Sequence, residues 1–284
     1  QGDIKVATLL LQAGADSNHL AADQKSPLWY AVERNDAAMI DILLQHDAQP
    51  NQAPARADII AFAAKGADEK IVLALLKRAR DIETPFADAT PLQWCAQRGF
   101  SRAMQQLIAQ HAQIDRRDGT GRSALWLAAA NNKADAVELL LREHATLDLA
   151  DREEVTPLAI AATRGNTTVV DLLIRNGAAV DKASREGNTP LLLAARSAHT
   201  DTIKRLLAAK ADFEHRNERS ETALMLAATS GCNTCIAALF DAGVDAARRD
   251  RDRRTAVDYA RRHHFDELAQ RLQDHIDKKV KFAP

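Results

Sequence analysis

Residues 156–178 read TPLAIAATRGNTTVVDLLIRNGA, and this stretch carries the plan of the chain. Thr156 is a good helix N-cap, because its hydroxyl accepts a bond from a first-turn backbone N–H that has no partner within the helix. Pro157 follows at the first helical position, where its fixed φ suits and no N–H is needed. Leu158, Ile160, Ala161 and Ala162 give a short helix its apolar face. Gly165 ends that helix, since glycine takes the left-handed conformation without steric cost. Val169, Val170, Leu172, Leu173 and Ile174 then fall at helical spacing and predict a second helix, closed by Gly177. The polar segment AAVDKASREGN leads on to the next cap.

The same plan recurs in both directions. Leu10, Leu43, Leu75, Leu107, Leu140, Leu173, Leu206, Leu239 and Leu272 are separated by 32 or 33 residues. Fifteen residues before the last eight of these stand Leu28, Ile60, Leu92, Leu125, Leu158, Leu191, Leu224 and Val257, each followed three residues later by Ala or Cys. The cap position reads Ser26, Asp58, Thr90, Ser123, Thr156, Thr189, Thr222 and Thr255, all N-cap formers. The turn between the two helices carries Asn35, Gly99, Asn132, Gly165 and Gly231, residues that tolerate a positive φ. A fixed period of this length marks a repeat array, in which every unit offers the same faces to its neighbours.

The pattern TPLxxAA…G…VV.LL..GA at 156–178, repeated with wear at 189–211 and 222–244, resembles the ankyrin repeat. The resemblance runs from Gly2 to about Asp274 and is weakest at 58–79, where Thr-Pro-Leu has become Asp-Ile-Ile. It implies an all-α solenoid of stacked antiparallel helix pairs with β-hairpin-like fingers between units. The expected organisation is one domain over 1–284: a half repeat at 1–25, full repeats starting near 26, 58, 90, 123, 156, 189, 222 and 255, and a short basic tail at 276–284, with 278–281 expected to be disordered. Seventeen helices follow, with the periodic leucines buried, least so at Leu10 and Leu272. The glycine that the family places after the second helix is kept at Gly14, Gly177 and Gly243; Asp47, Ala79, His111, His144 and Lys210 fill that slot elsewhere. The finger-turn glycine survives at Gly121 and Gly187. Each non-glycine residue held there should cost roughly 1 kcal/mol.

A formal net charge of −1 and a pI near 6.8 give no overall pull toward nucleic acid or membrane. Apolar runs fall far short of the roughly 20 residues that span a bilayer. The chain opens on Gln1-Gly2-Asp3 and passes directly into a second-type helix, with Val6 and Leu9 expected to be under-covered. That half unit reads as the continuation of a longer protein. Compartment is not legible.

Few residues invite chemistry. Cys232-Asn-Thr-Cys235 is a Cys-x-x-Cys motif, but zinc would need a second ligand pair and Cys95 is the remaining cysteine. In the repeat frame Cys235 holds a packing slot shared with Met39, Ile71 and Val169, so packing is the expected role, with a disulfide in an oxidising compartment. His263 and His264 are adjacent on a helix and point about 100° apart, which disfavours a shared metal. No cofactor, metal site or catalytic set is expected, and the abundant carboxylates read as solvated surface. Trp94 falls on a core slot taken by Leu127, Ile160, Leu193 and Leu226, while Trp29 and Trp126 fall one residue earlier and read as packing between units.

Two slots late in the first helix face inward in the ankyrin family, whose partners usually bind the concave groove and finger tips. Six of eight units offer Lys or Arg there, including Arg34, Lys65, Arg98, Arg164, Arg196 and Arg262. The last finger adds Arg248, Arg249, Arg251, Arg253 and Arg254 around Asp250 and Asp252. The reading is a non-catalytic protein-interaction scaffold, with Arg34, Arg98, Arg164, Arg196, Arg262, Arg249, Arg251 and Arg254 as partner-binding residues and an acidic protein surface as partner. No small-molecule substrate is expected, and no membrane insertion within these residues. One rival is the recognition or regulatory arm of a larger enzyme or membrane protein. Another is nucleic-acid binding along the basic row, against which stand the neutral charge and the lack of exposed stacking aromatics.

Overall fold

The computed structural model describes residues 4–51 and 58–281. Residues 1–3 of the half unit and 282–284 of the basic tail lie outside the described residues. Among the described residues the chain forms seventeen helices. After α1 (Ile4–Gln12) come α2 (Pro27–Glu33), α3 (Ala37–Gln45), α4 (Ile59–Gly66), α5 (Glu69–Leu76), α6 (Pro91–Arg98), α7 (Ser101–Ala109), α8 (Ala124–Ala130) and α9 (Ala134–Arg142). Then follow α10 (Pro157–Arg164), α11 (Thr167–Arg175), α12 (Pro190–Arg196), α13 (Thr200–Ala208), α14 (Ala223–Thr229), α15 (Asn233–Asp241), α16 (Ala256–Arg262) and α17 (Asp266–Lys281).

Every first helix starts one residue after its expected cap. At seven caps the side chain accepts a backbone N–H: Trp29 N–H donates to Ser26 Oγ at 3.2 Å, and Ala159 N–H to Thr156 Oγ1 at 3.1 Å. Thr255 differs. Its own N–H and hydroxyl donate to Asp258 Oδ2, at 2.8 and 2.9 Å. Because α2 to α16 run only seven to nine residues each, they are too short to persist alone in water, and packing must hold them.

The chain gathers into two compact units, 1–128 with 135–145 and 129–134 with 146–284. Within the first, α2, α4 and α6 pack in sequence and α3, α5 and α7 form the parallel row behind them. Within the second, α10, α12, α14 and α16 make one row and α11, α13 and α15 the other. The periodic leucines from Leu43 to Leu239 are buried between these rows. Leu10 is 56% exposed, as are Val6 and Leu9 to similar degree, because α1 packs on α3 without a first-helix partner among the described residues. Leu272 corrects the sequence expectation: it is fully buried, since α17 packs along α16 and seats Leu268, Ala269 and Leu272 together.

The tail is corrected as well. Helix α17 runs on through 278–281, where disorder was expected. Asp266 and Glu267 sit in its first turn, where the positive end of the helix dipole favours them. Gln270 and Gln273 bond Asp274 and Asp277 one turn on, at 2.8 and 2.9 Å.

The fingers are tight turns closed by backbone bonds, with the Phe86–Ala89 bridge the sole strand-like pairing among the described residues. Asp118, Asp151, Ser184, Asn217 and Asp250 each donate N–H to the carbonyl four residues on, at 2.9–3.2 Å. Asp118, Asn217 and Asp250 are buried, and their side-chain oxygens take N–H bonds from inside the same turn, such as Arg122 N at 2.9 Å and Arg254 N at 2.8 Å. Other acids link neighbouring repeats: Asp181 accepts from Asp212 N at 3.0 Å and Glu214 from Asp245 N at 3.0 Å. These carboxylates are built into the fold rather than merely solvated. The slot after the second helix is left-handed at Asp47, His111, His144 and Lys210, as expected. Ala79 is the exception, because α5 stops at Leu76 and Asn51 Oδ1 takes the Arg80 N–H at 2.7 Å.

Candidate partner-binding surface

A first helix of seven or eight residues ends where its C-terminal carbonyls point outward, and a cation in that last turn complements their partial negative charge. Arg98, Arg164, Arg196 and Arg262 all sit there, closing α6, α10, α12 and α16, and Arg34 is the C-cap of α2. Position alone therefore gives these arginines a stabilising role worth about 0.3–1 kcal/mol each. What their guanidinium groups do beyond that separates them.

In the first unit Arg34 is exposed and Arg98 is not available in the same sense. Arg98 Nη1 donates to Lys65 O at 3.2 Å and Ala67 O at 2.7 Å, closing the end of α4, and its guanidinium lies 4.5 Å from the Phe100 ring centroid. In the second unit Arg164, Arg196 and Arg262 are exposed. Arg249 and Arg251 are exposed on the last finger, with Arg249 Nη1 donating to Arg253 O at 2.7 Å. Arg254 is committed internally. Its Nε and Nη2 both lie 2.8 Å from the buried Asp250 Oδ2, it also pairs with Asp252, and it covers the Tyr259 ring at 5.4 Å.

Tyr259 completes that cluster, with its hydroxyl 2.9 Å from Glu221 Oε1 and 2.8 Å from Asp250 Oδ2. Burial, then the bonds to Asp250 and Glu221, push its phenol well above the usual range. For Asp250, burial alone would raise the carboxyl, but the Arg254 N–H and guanidinium and the Tyr259 hydroxyl outweigh it and hold the group below its ordinary value. The cluster is a strut that fixes the last finger to α16.

The fingers of the second unit are tied to one another through backbone. Arg185 N–H donates to Glu153 O at 3.0 Å, Glu218 N–H to Glu186 O at 3.1 Å, and Arg251 N–H to Arg219 O at 3.2 Å. Each finger tip is thereby placed by its predecessor.

An aromatic column in the first unit was missed from sequence. The fourth residue after the cap reads Tyr30, Phe62 and Trp94 in three successive repeats, and all three are half-buried. That corrects Trp94 from core to partial exposure: its Nε1 donates to Phe86 O at 3.0 Å, and Lys65 Nζ lies 5.2 Å from its ring. Phe62 stacks on the buried Trp29 at 4.8 Å, so Trp29 does pack between units. The signal was the aromatic run in one slot, visible only when the slot is compared across repeats.

Among the described residues no helix is long and apolar enough to cross a membrane. Compared with known families, the chain matches the description "Ankyrin repeats (3 copies)" over residues 1–88, 59–151, 135–217 and 200–282. No curated protein matches it.

Proposed function

Because this chain belongs to the ankyrin-repeat family, whose repeats are generally protein–protein interaction modules, we propose that it is a non-catalytic scaffold holding one protein partner on its first-helix face and finger tips. The observation that carries this reading is the backbone tie between successive fingers of the second unit. A surface whose loops are already ordered loses less entropy when a partner docks. The exposed arginines Arg164, Arg196 and Arg262, with Arg249 and Arg251 on the last finger, give that surface its chemistry. They favour a partner that presents carboxylates, since guanidinium groups bind these in a bidentate fork. Arg34, exposed in the first unit, offers a carboxylate the same contact there by itself. Arg98 and Arg254 serve the surface by fixing its frame.

The test compares two double variants in a quantitative capture experiment with crosslinking. Arg164→Ala with Arg196→Ala removes two first-helix charges; Arg175→Ala with Lys204→Ala removes two exposed charges from α11 and α13. A partner lost from the first variant and retained by the second supports the reading. Each of these four exposed charges adds no more than about 1 kcal/mol, so both variants should stay folded, as circular dichroism would show. Equal capture by both, or loss confined to the second, would sink the assignment of this surface.

A further inference from the structure

Cys232 and Cys235 form a disulfide, with Cα atoms 5.3 Å apart. Cys232 occupies the slot between the turn at Gly231 and the start of α15, and its Sγ takes the helix-cap bond from Cys235 N–H at 3.2 Å. In the first full repeat the same slot holds Asp36, whose carboxylate takes the equivalent bond from Met39 N–H at 3.1 Å. The fold therefore already seats a full negative charge at this place, where unpaired amides and the helix dipole favour one. The two sulfurs are unequal. Cys232 is half-exposed, while Cys235 is fully buried with Thr200 Oγ1 3.3 Å from its Sγ.

A stapling disulfide joins segments that would otherwise separate. This one spans two residues, Asn233 and Thr234, inside a turn that α15 fixes by itself through bonds such as Ile236 N–H to Cys232 O at 3.1 Å. So short a loop removes little entropy from the unfolded chain. The bond links no other repeat. Mechanical support is the least it supplies, and its chemistry is what distinguishes this repeat from its neighbours.

We propose that Cys232–Cys235 is a thiol–disulfide exchange site that reacts with a low-molecular-weight thiol of the glutathione class, with Cys232 as the attacked sulfur and Cys235 as the resolving one. A thiolate attacks Cys232 Sγ. A bond forms between the incoming sulfur and Cys232, the Cys232–Cys235 bond breaks, and its electron pair leaves on Cys235, which takes the Thr200 hydroxyl proton while that half-exposed hydroxyl is reprotonated from solvent. A second thiolate attacks the incoming sulfur of that mixed disulfide and expels Cys232 as a thiolate onto the Cys235 N–H. Two thiols become one disulfide, and the protein gains two electrons and, once Cys232 is protonated, two protons. Attack of Cys232 on an oxidised thiol, followed by Cys235 on Cys232, runs the cycle backward.

The test uses reduced and oxidised glutathione on the whole chain, with acid quench, alkylation and peptide mass spectrometry. In native buffer, millimolar reduced glutathione should open the pair, and oxidised glutathione should close it again, with circular dichroism unchanged. Cys235→Ser should trap glutathione on Cys232 about tenfold faster than Cys232→Ser traps it on Cys235. If either variant does not fold, the wild-type chain after reduction gives the same answer: iodoacetamide should label Cys232 well before Cys235 and the buried Cys95. A pair that stays oxidised until the chain unfolds, or a labelling order in which Cys232 is not first, would overturn the proposal.

Discussion

Asp58 is the one first-helix cap that carries a charge, and it is buried. Burial pushes its carboxyl up to about 6, with Asp81 adding to the rise; the Ala61 and Ile60 N–H bonds and Asn51 oppose it and lose. The folded value lies above the unfolded one of about 3.9. Folded Asp58 therefore holds its proton more tightly than unfolded Asp58, so the cap is best tolerated below about pH 4. Its cost grows as pH rises through 4–6 and is complete above about 6, at roughly 3 kcal/mol. Asn caps as well as Asp and carries no charge. Asp58→Asn should leave stability unchanged at pH 4 and raise it by about 1–3 kcal/mol at pH 7, read from urea unfolding at stepped pH. A difference that stays constant from pH 4 to 7 would refute this account. Asp118 and Asp250 run the other way. Burial opposes them, but their turn N–H bonds and arginine partners hold both carboxyls below the ordinary value, so each adds stability that is lost as pH falls.

Turns and fingers set the geometry of each repeat, and two left-handed glycines show how differently neighbouring joints are loaded. Gly177, after α11, has φ +90° and open space where a Cβ would stand. Gly187, in a finger, has φ +76°, and a Cβ there would meet Glu218 N at 2.9 Å and Asn217 Cα at 3.1 Å, both backbone atoms of the next finger. Gly177→Ala should cost about 1 kcal/mol, the backbone term alone. Gly187→Ala should cost clearly more and should speed amide exchange at Glu218, whose N–H bonds Glu186 O. Equal costs would mean that the fingers yield freely and are not the ordered surface inferred above. The helices were legible in the sequence because caps, prolines and the Leu period all recur in phase. The fingers were less so, since what orders them lies between repeats: Asp181 on Asp212, Glu214 on Asp245, Arg185 on Glu153. The same limit applies to the candidate site. Arg164, Arg98 and Arg254 look alike as letters, but only a partner one repeat away makes Arg98 a clamp, and only the fold of its own finger makes Arg254 one. The disulfide was open in the sequence because three cysteines fix neither pairing nor compartment.

In a repeat array each unit leans only on its neighbours, so the worth of a periodic leucine depends on how many sides of it are covered. Leu173 lies inside the second unit and is fully buried; Leu272 in α17 is equally buried; Leu10 in α1 is 56% exposed. Truncating a fully buried leucine to alanine removes its contacts and leaves a cavity, at about 2–5 kcal/mol. An exposed one should cost less than about 0.5 kcal/mol. Amide exchange read by mass spectrometry resolves the three sites separately. Leu173→Ala should accelerate exchange in α10 to α13, and Leu272→Ala should do so in α16 and α17. Leu10→Ala should alter α1 at most, because α1 already opens cheaply through its thin contact with α3. Loss of protection in α2 to α5 on Leu10→Ala would show that α1 is a full packing partner. Normal protection of α16 in Leu272→Ala would show that α17 merely rests on α16 and does not stabilise it.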